Sequence, residues 1–312
     1  MLYQHITVML RETVDYLNCK PGKIYVDGTL GGSGHAKAIC EKIAPEGLLV
    51  GIDQDNDSIR NAKKVLKPYE SIVRIFHDNF VNLPAILGQL NISAVDGILL
   101  DLGISFHQIE SSGRGFSFNK DEPLDMRMNA ASGPTVEDLI ISVSEKDLRH
   151  IFKIYGEERR ARQIARRIIQ VRRQKEISSS KQLAQIVCDA IPKRARVHQR
   201  IHPATRVFMA LRIAVNKELD RLEAFMENVV DLLNPKGRLC VLSFHSLEDR
   251  IVKHRLKTLE KGCICPPDFP KCVCNKKKAI RILTPKVLRP TKEEIAVNPR
   301  ARSTRLRAIE KL

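Results

Sequence analysis

No stretch of this chain approaches the ~20 consecutive apolar residues of a membrane-spanning helix, so a helical membrane protein is not expected. The opening residues, MLYQHITVMLRETVDYL, lack a basic segment followed by an uninterrupted apolar one, which argues against a secretion signal. There is no internal repeat and no low-complexity tract, so neither a solenoid nor a disordered tail is expected. Acidic residues are in deficit, 36 against 53 basic, for a formal net charge of +17. Such an excess suits a polyanionic partner, because cations displace counterions from a phosphate backbone. Eight cysteines without a secretion signal point to reduced thiols or metal rather than disulfides, and the expected compartment is the cytoplasm. At 312 residues, 43% hydrophobic and 29% charged, the chain is globular and can hold one large domain or two ordinary ones.

What is present starts with IYVDGTLGGSGH, residues 24–35. Ile24, Tyr25 and Val26 favour a strand, Asp27 ends it, and Gly28, Gly31, Gly32 and Gly34 precede a helix starting near His35. Strand, glycine turn and helix bring bare backbone close to a nucleotide-like ligand. The glycines do not follow G-x-G-x-x-G, which disfavours a nicotinamide dinucleotide; the spacing fits S-adenosylmethionine better. The next strand, residues 48–53, ends in Asp53, placed to accept hydrogen bonds from ribose hydroxyls. A third strand over 71–76 leads to a loop in which Asp78, Asn79 or Phe80 can reach an adenine, and a fourth over 95–101 ends in Asp101. Four alternations of strand and helix predict an α/β fold with a parallel sheet covered on both faces.

After Asp101 the pattern changes. Residues 106–134 read as a long loop, and from Thr135 to about Ala204 everything reads as helical. Ala161, Ile164, Ala165 and Ile168 make an apolar stripe. A long helix is expected from Pro203 to about Leu233, then a turn at 234–237 and a resumed strand from Arg238 to Phe244. The expected domains are therefore a discontinuous one, 1–110 with 207–312, and a helical insert, 111–206. Residues 304–309 are expected to add a closing strand.

Asp101-Leu102-Gly103-Ile104-Ser105 falls where open α/β sheets place ligands. A carboxylate followed by exposed carbonyls can orient an exocyclic base amine, whose own lone pair is delocalised. In the segment SFHSLEDR, Phe244 can stack on a base, and Ser243 or His245 can hydrogen-bond it; structurally, Ser246 reads as a helix N-cap with Asp249 at N3. Basic residues concentrate at Arg159, Arg160, Arg162, Arg166, Arg167, Arg172, Arg173 and Lys175, at Lys193, Arg194, Arg196, Arg200 and Arg206, and in the tail at 276–289, in keeping with phosphate contact. Cys263, Cys265, Cys272 and Cys274 form a compact C-x-C pair of pairs that suits a structural zinc or, equally, free reduced thiols.

Taken in order, VDGTLGGSGH, GIDQD, DGILLDLGIS, GRGFSF, PLDMRM, YGEERRARQIAR, HPATRVFMALRIAVNKEL, LSFHSLEDRIVK and NPRARSTRLR resemble the bacterial small-subunit rRNA cytosine-N4 methyltransferase family. The resemblance runs from His5 to the C-terminus. It implies a class I S-adenosylmethionine-dependent methyltransferase sheet, Rossmann-like, interrupted by a helical substrate-recognition insert. It implies methyl transfer to N4 of a decoding-region cytosine of 16S rRNA, in the small ribosomal subunit. By motif position, the family's donor contacts fall on Ser33, Gly34, His35, Asp53, Phe80, Asp101 and Gln108. The chain departs from the family at Phe106-His107, where Ser-Pro is usual, and at Thr7, where Pro is usual. A DNA amino-methyltransferase is a rival, but no D/N/S-P-P-aromatic segment is present; another rival is an rRNA-binding assembly factor without turnover.

Overall fold

The computed structural model describes residues 7–192, 194, 201–263, 265–266, 269–271, 273–274 and 276–312. The chain divides into two compact units, Met1–Gly103 with Leu219–Leu312, and Ile104–Glu218. Among the described residues no helix is long and apolar enough to cross a membrane.

The first unit opens with α1 (Leu10–Leu17), β1 (Ile24–Asp27), α2 (Gly34–Ile43), β2 (Leu48–Asp53), α3 (Asn56–Val65), β3 (Val73–His77), α4 (Leu83–Gln89) and β4 (Val95–Asp101). The second holds α5 (Phe106–Glu110), α6 (Val136–Ser142), α7 (Glu145–Ile154), α8 (Ala161–Arg172), α9 (Ser180–Asp189) and α10 (Ala204–Asn216). The chain then continues through α11 (Glu218–Asn228), β5 (Leu233–Ser243), α12 (Ser246–Lys261), β6 (Ile280–Ile282), α13 (Lys292–Val297) and β7 (Arg305–Lys311). The sheet order is β3-β2-β1-β4-β5-β7-β6. Strands β1 to β5 pair in parallel, and β7 runs antiparallel to β5 and β6. This is the expected Rossmann-like class I methyltransferase sheet.

The strands are apolar on both faces because helices cover both. In β4, Ile98 and Leu100 enter one core with Val26, Val50 and Val241, while Leu99 enters the other with Tyr25, Leu49 and Cys240. Asp27 and Asp101 follow Tyr25 and Leu99 by two residues, so both point to the face covered by α2.

Several expectations are corrected. The long helix over 203–233 is two helices, since Lys217 takes a left-handed φ of 49° between α10 and α11. Arg212 fixes the break by donating twice to Glu218, at 2.8 and 2.9 Å. The supposed loop of 106–134 contains α5 and is built into a core: Phe116, Leu124, Met126 and Met128 are buried. Asn216 accepts from the Met128 N–H at 2.7 Å and donates to the Met126 carbonyl at 2.8 Å. Strand β5 starts at Leu233, with an irregularity against β4 where the turn was expected. The strand over 71–76 starts instead at Val73, after a 3₁₀ turn through Lys67–Ile72.

The second unit has its own apolar centre, including Phe152, Ile164, Ile168, Leu183, Phe208 and Leu211. The stripe on α8 is buried as its spacing requires. Ile104 packs on this core, and Ala204, Val207, Phe208 and Leu211 of α10 belong to it. The divisions therefore fall after Gly103 and Glu218, not after residues 110 and 206.

Candidate active site at the carboxyl ends of the sheet

The turn after β1 is held by backbone. Gly28 N–H donates to the Leu99 carbonyl at 2.9 Å, and Leu30 N–H to that of Ile52 at 3.1 Å. A β-carbon at Gly28 would lie 2.6 Å from Leu100 Cδ2 and 3.2 Å from Phe80 Cβ, so only glycine fits without displacement. Leu30 is buried against Gly51, where a β-carbon would meet it at 2.8 Å. At Gly34 the constraint comes from Thr7, whose hydroxyl a side chain would overlap. Ser33 precedes α2 with φ 64°. A non-glycine residue in that region is held there by its surroundings.

Asp53 organises this turn. Its Oδ2 accepts from Gly31 N–H at 2.8 Å and its Oδ1 from Asp55 N–H at 2.8 Å. Burial pushes its carboxyl up to about 6, against the pull of the Asp55 and Gly31 N–H groups. The Ser58 side chain adds a third hydrogen bond to this carboxylate, so of its about four acceptor positions about one remains for a ligand. Gln54 follows, and its Oε1 accepts from Asn79 at 3.0 Å and from Arg221 of α11 at 2.7 Å. These bonds tie the end of β2 to the loop after β3. In that loop Asp78 accepts from Asn79 N–H and from Asn82, both at 2.7 Å. Phe80 is buried and meets Phe225 edge-on, with ring centroids 5.3 Å apart.

Asp101 is placed differently. Its backbone N–H donates to Thr29 Oγ1 at 2.6 Å. Its Oδ2 lies 3.4 Å from Nδ1 of His35, which is 4% exposed. The other ring nitrogen, Nε2, donates to the Val8 carbonyl at 3.1 Å; a carbonyl can only accept, so Nε2 carries a proton. Nδ1 and the carboxylate therefore attract only if a proton lies between them. Burial lowers the His35 pKa, but the Asp101 hydrogen bond and charge outweigh it and the net direction is up. Asp27 completes the buried group. It accepts from Thr29 N–H at 3.1 Å, and burial pushes its carboxyl up to about 7 despite the nearby His35 charge.

In the SFHS segment, Ser243 is fully buried at the end of β5. Phe244 packs against the turn after β4, where a β-carbon on Gly103 would lie 3.3 Å from its ring. The N-cap of α12 is His245, not Ser246, and N3 is Glu248, not Asp249. The cap-to-N3 spacing is unchanged; the helix starts one residue earlier, at Ser246, so the box shifts by one. His245 Nδ1 accepts from Glu248 N–H at 3.5 Å and Nε2 lies 3.2 Å from Glu248 Oε1. Asp249 is instead paired with Arg307 at 2.6 Å and Arg305 at 3.5 Å.

Ser33 Oγ, Asp101 Oδ1 and Ser243 Oγ are enclosed and have no hydrogen-bond partner among the described residues. The Thr13 and Thr304 hydroxyls, outside the expected site, share that condition. Buried polar atoms are seldom left unpaired. Three such atoms at the ends of α2, β4 and β5, with a turn that excludes side chains, fit a polar nucleoside-like ligand such as S-adenosylmethionine. Asp27, Thr29, Gln54 and Arg221 were missed from sequence. Asp27 showed only as a strand end, and the other three carry no pattern.

Gln108 lies in the second unit, where it caps α5: its Oε1 accepts from Ser105 N–H at 2.9 Å. Phe106 and His107 form the first turn of that helix. On α8, Arg162, Arg166 and Arg167 are exposed, as is Arg173 just beyond it. Arg172 is spent on structure, donating to the carbonyls of Ile140 and Val143. Lys193, Arg196 and Arg200 lie outside the described residues. Of the cysteine set, Cys263, Cys265 and Cys274 come together; Cys272 is outside the described residues.

The sequence profile of the MraW methylase family matches residues 2–312. The "Ribosomal RNA small subunit methyltransferase H" of Desulfosudis oleivorans is 54% identical over 312 residues, covering 100% of both chains. The protein of that name from Syntrophotalea carbinolica is 50% identical over 311 residues, 100% of this chain and 99% of the other. That from Halothermothrix orenii is 49% identical with the same coverage.

Proposed function

The chain belongs to the MraW methylase family, and from that premise we propose how its residues carry out methyl transfer. The protein is an S-adenosylmethionine-dependent methyltransferase of 16S rRNA, acting on the N4 amine of a cytosine. We place that cytosine in the decoding region, at the P site, with the small ribosomal subunit as the substrate particle.

S-adenosylmethionine supplies an electrophilic methyl group. Gly28 and Gly31 open the backbone to it, Asp53 and Ser33 bind its polar groups, and Phe80 walls the adenine side. Gly34 and His35 shape the same turn, His35 acting through Asp101. Gln108 is assigned to the donor on the family's pattern alone. Asp101 Oδ1 accepts one N–H of the cytosine amine, which turns the nitrogen toward the methyl. With the donor bound, the N–C bond would form as the methyl's bond to the sulfonium sulfur breaks, that electron pair staying on sulfur as a neutral thioether, and the proton released by the alkylated nitrogen would pass to Asp101 Oδ1. His35 Nδ1 holds Oδ2 meanwhile, so the carboxylate keeps its orientation. Ser243 contributes its hydroxyl to the base pocket, and His245 positions that segment through its cap on Glu248. The exposed arginines of α8 take rRNA phosphates.

The unpartnered Asp101 Oδ1 supports this most directly: it is an acceptor awaiting a donor where a ligand binds. Mass spectrometry of small-subunit rRNA from cells with and without the gene tests the target. One N4-methylated cytosine is expected to disappear with the gene. Labelled donor offered with separated rRNA and DNA provides the second arm. Label on DNA alone, or no transfer to small subunits carrying the unmodified cytosine, would overturn the proposal.

A further inference from the structure

We propose that Cys263, Cys265 and Cys274, together with Cys272, bind a single zinc ion that folds the segment joining α12 to β6. That segment, residues 262–279, has no helix or strand among its described residues. Structureless connections longer than ~12–15 residues are uncommon inside compact domains. Its large apolar side chains among the described residues are exposed, Phe269 at 52% and Val273 at 67%, so they contribute little burial to hold it.

Its two ends are nevertheless pinched together. Ala279 N–H donates to the Leu259 carbonyl at 3.1 Å. Gly262 has φ 69°, and a β-carbon there would lie 2.8 Å from Lys278 N. Between these ends three sulfurs converge. The Sγ atoms of Cys263, Cys265 and Cys274 all lie within 4.8 Å of one another, and those of Cys263 and Cys274 are 3.8 Å apart. A disulfide needs about 2.05 Å. Tetrahedral zinc with Zn–S of about 2.3 Å sets its sulfurs about 3.8 Å apart. Val273 N–H also points at Cys265 Sγ, 3.4 Å away, the kind of backbone donor that offsets thiolate charge around a metal. Cys272 lies outside the described residues; its sequence position mirrors the first pair, C-x-C against C-x-C.

The charge agrees. Four thiolates around Zn²⁺ carry a net charge of about −2, and Lys271, Lys276, Lys277 and Lys278 lie in the same segment. Four soft ligands leave no open position, so the ion is structural and takes no part in methyl transfer.

The test uses the full chain purified under reducing conditions without chelator. Elemental analysis is expected to find about one zinc per chain, as a closed four-ligand site requires. Four thiols are expected to stay unreactive to a thiol reagent until a chelator removes the metal. Cobalt replacement should give sulfur-to-cobalt charge-transfer absorption. Cys263→Ser and Cys274→Ser should lose the ion, whereas Cys188→Ser keeps it. Should the cluster variants fail to fold, the metal content and thiol reactivity of the unaltered chain still decide. A chain that carries no zinc and takes up neither zinc nor cobalt overturns the proposal, as does iron in place of zinc.

Discussion

Asp53 and Asp101 end the two strands that flank β1, yet their carboxylates are treated oppositely. Both oxygens of Asp53 are held by backbone N–H groups of the turns beside it. Asp101 has one oxygen facing a buried imidazole and the other without a partner among the described residues. A carboxylate fixed on both sides shapes a loop. One fixed on a single side keeps a face free for chemistry. The donor cradle and the reacting group are thus told apart by how far each acid's acceptors are already used.

The most direct way to break this contrast is Asp101→Ala. Turnover on small-subunit rRNA with labelled donor is expected to fall roughly 10²–10⁴-fold, the range for a lost acid–base group. RNA binding, measured by filter retention, should change far less. Normal methylation by this variant would remove Asp101 from the reaction.

Asp53→Ala comes next. Hydrogen bonds to a charged group contribute about 1.5–3 kcal/mol each, so donor affinity should weaken on the order of 10–100-fold, read by titration calorimetry. RNA affinity unchanged alongside would sharpen the division of labour, whereas unchanged donor affinity would refute it.

His35→Gln should lower turnover about tenfold, a typical cost for an orienting partner. The more telling reading is the pH–rate profile. The raised His35 pKa means its pairing with Asp101 is complete at low pH and is lost as pH rises through the folded value. An unchanged profile would make His35 a filler residue only.

The last test, at Asp27, reads stability rather than turnover. Its carboxyl titrates near 7 folded against 3.8 unfolded, so the native state binds the extra proton between those values. Stability from this group is therefore full below about 3.8 and declines as pH rises to about 7. Asp27→Asn should flatten that decline in denaturant melts taken across the range. An unaltered slope would place the proton elsewhere.

Much of this was legible in the sequence where a regular period or a special backbone demand acts. Apolar runs placed β1 to β4 and β7, the α8 stripe marked its buried face, and Gly28 announced a close approach. Positions set by distant polar partners were not legible. The Lys217 break is stabilised by an Arg212–Glu218 pair in a run that otherwise reads as continuous helix. The segment 106–134 has loop composition, yet four of its apolar residues fill a core. His245 as a cap could not be read because imidazole rarely plays that part. Asp27 matters through His35, and no local pattern joins them.

Strand order also sets a timetable for the chain as it is made. Strand β4 ends at Asp101, but its neighbour β5 begins only at Leu233. At translation rates of about 5–20 residues per second, the nascent sheet waits on the order of ten seconds with one edge unsealed. The residues made in that interval have an apolar core of their own, so they can bury themselves rather than compete for the waiting edge. The first helix waits longest, for the Met9 N–H beside it is met by Glu294 at 2.7 Å, 285 positions later. Completion of the donor turn, which leans on Thr7 and Val8, therefore waits on a residue made 285 positions later.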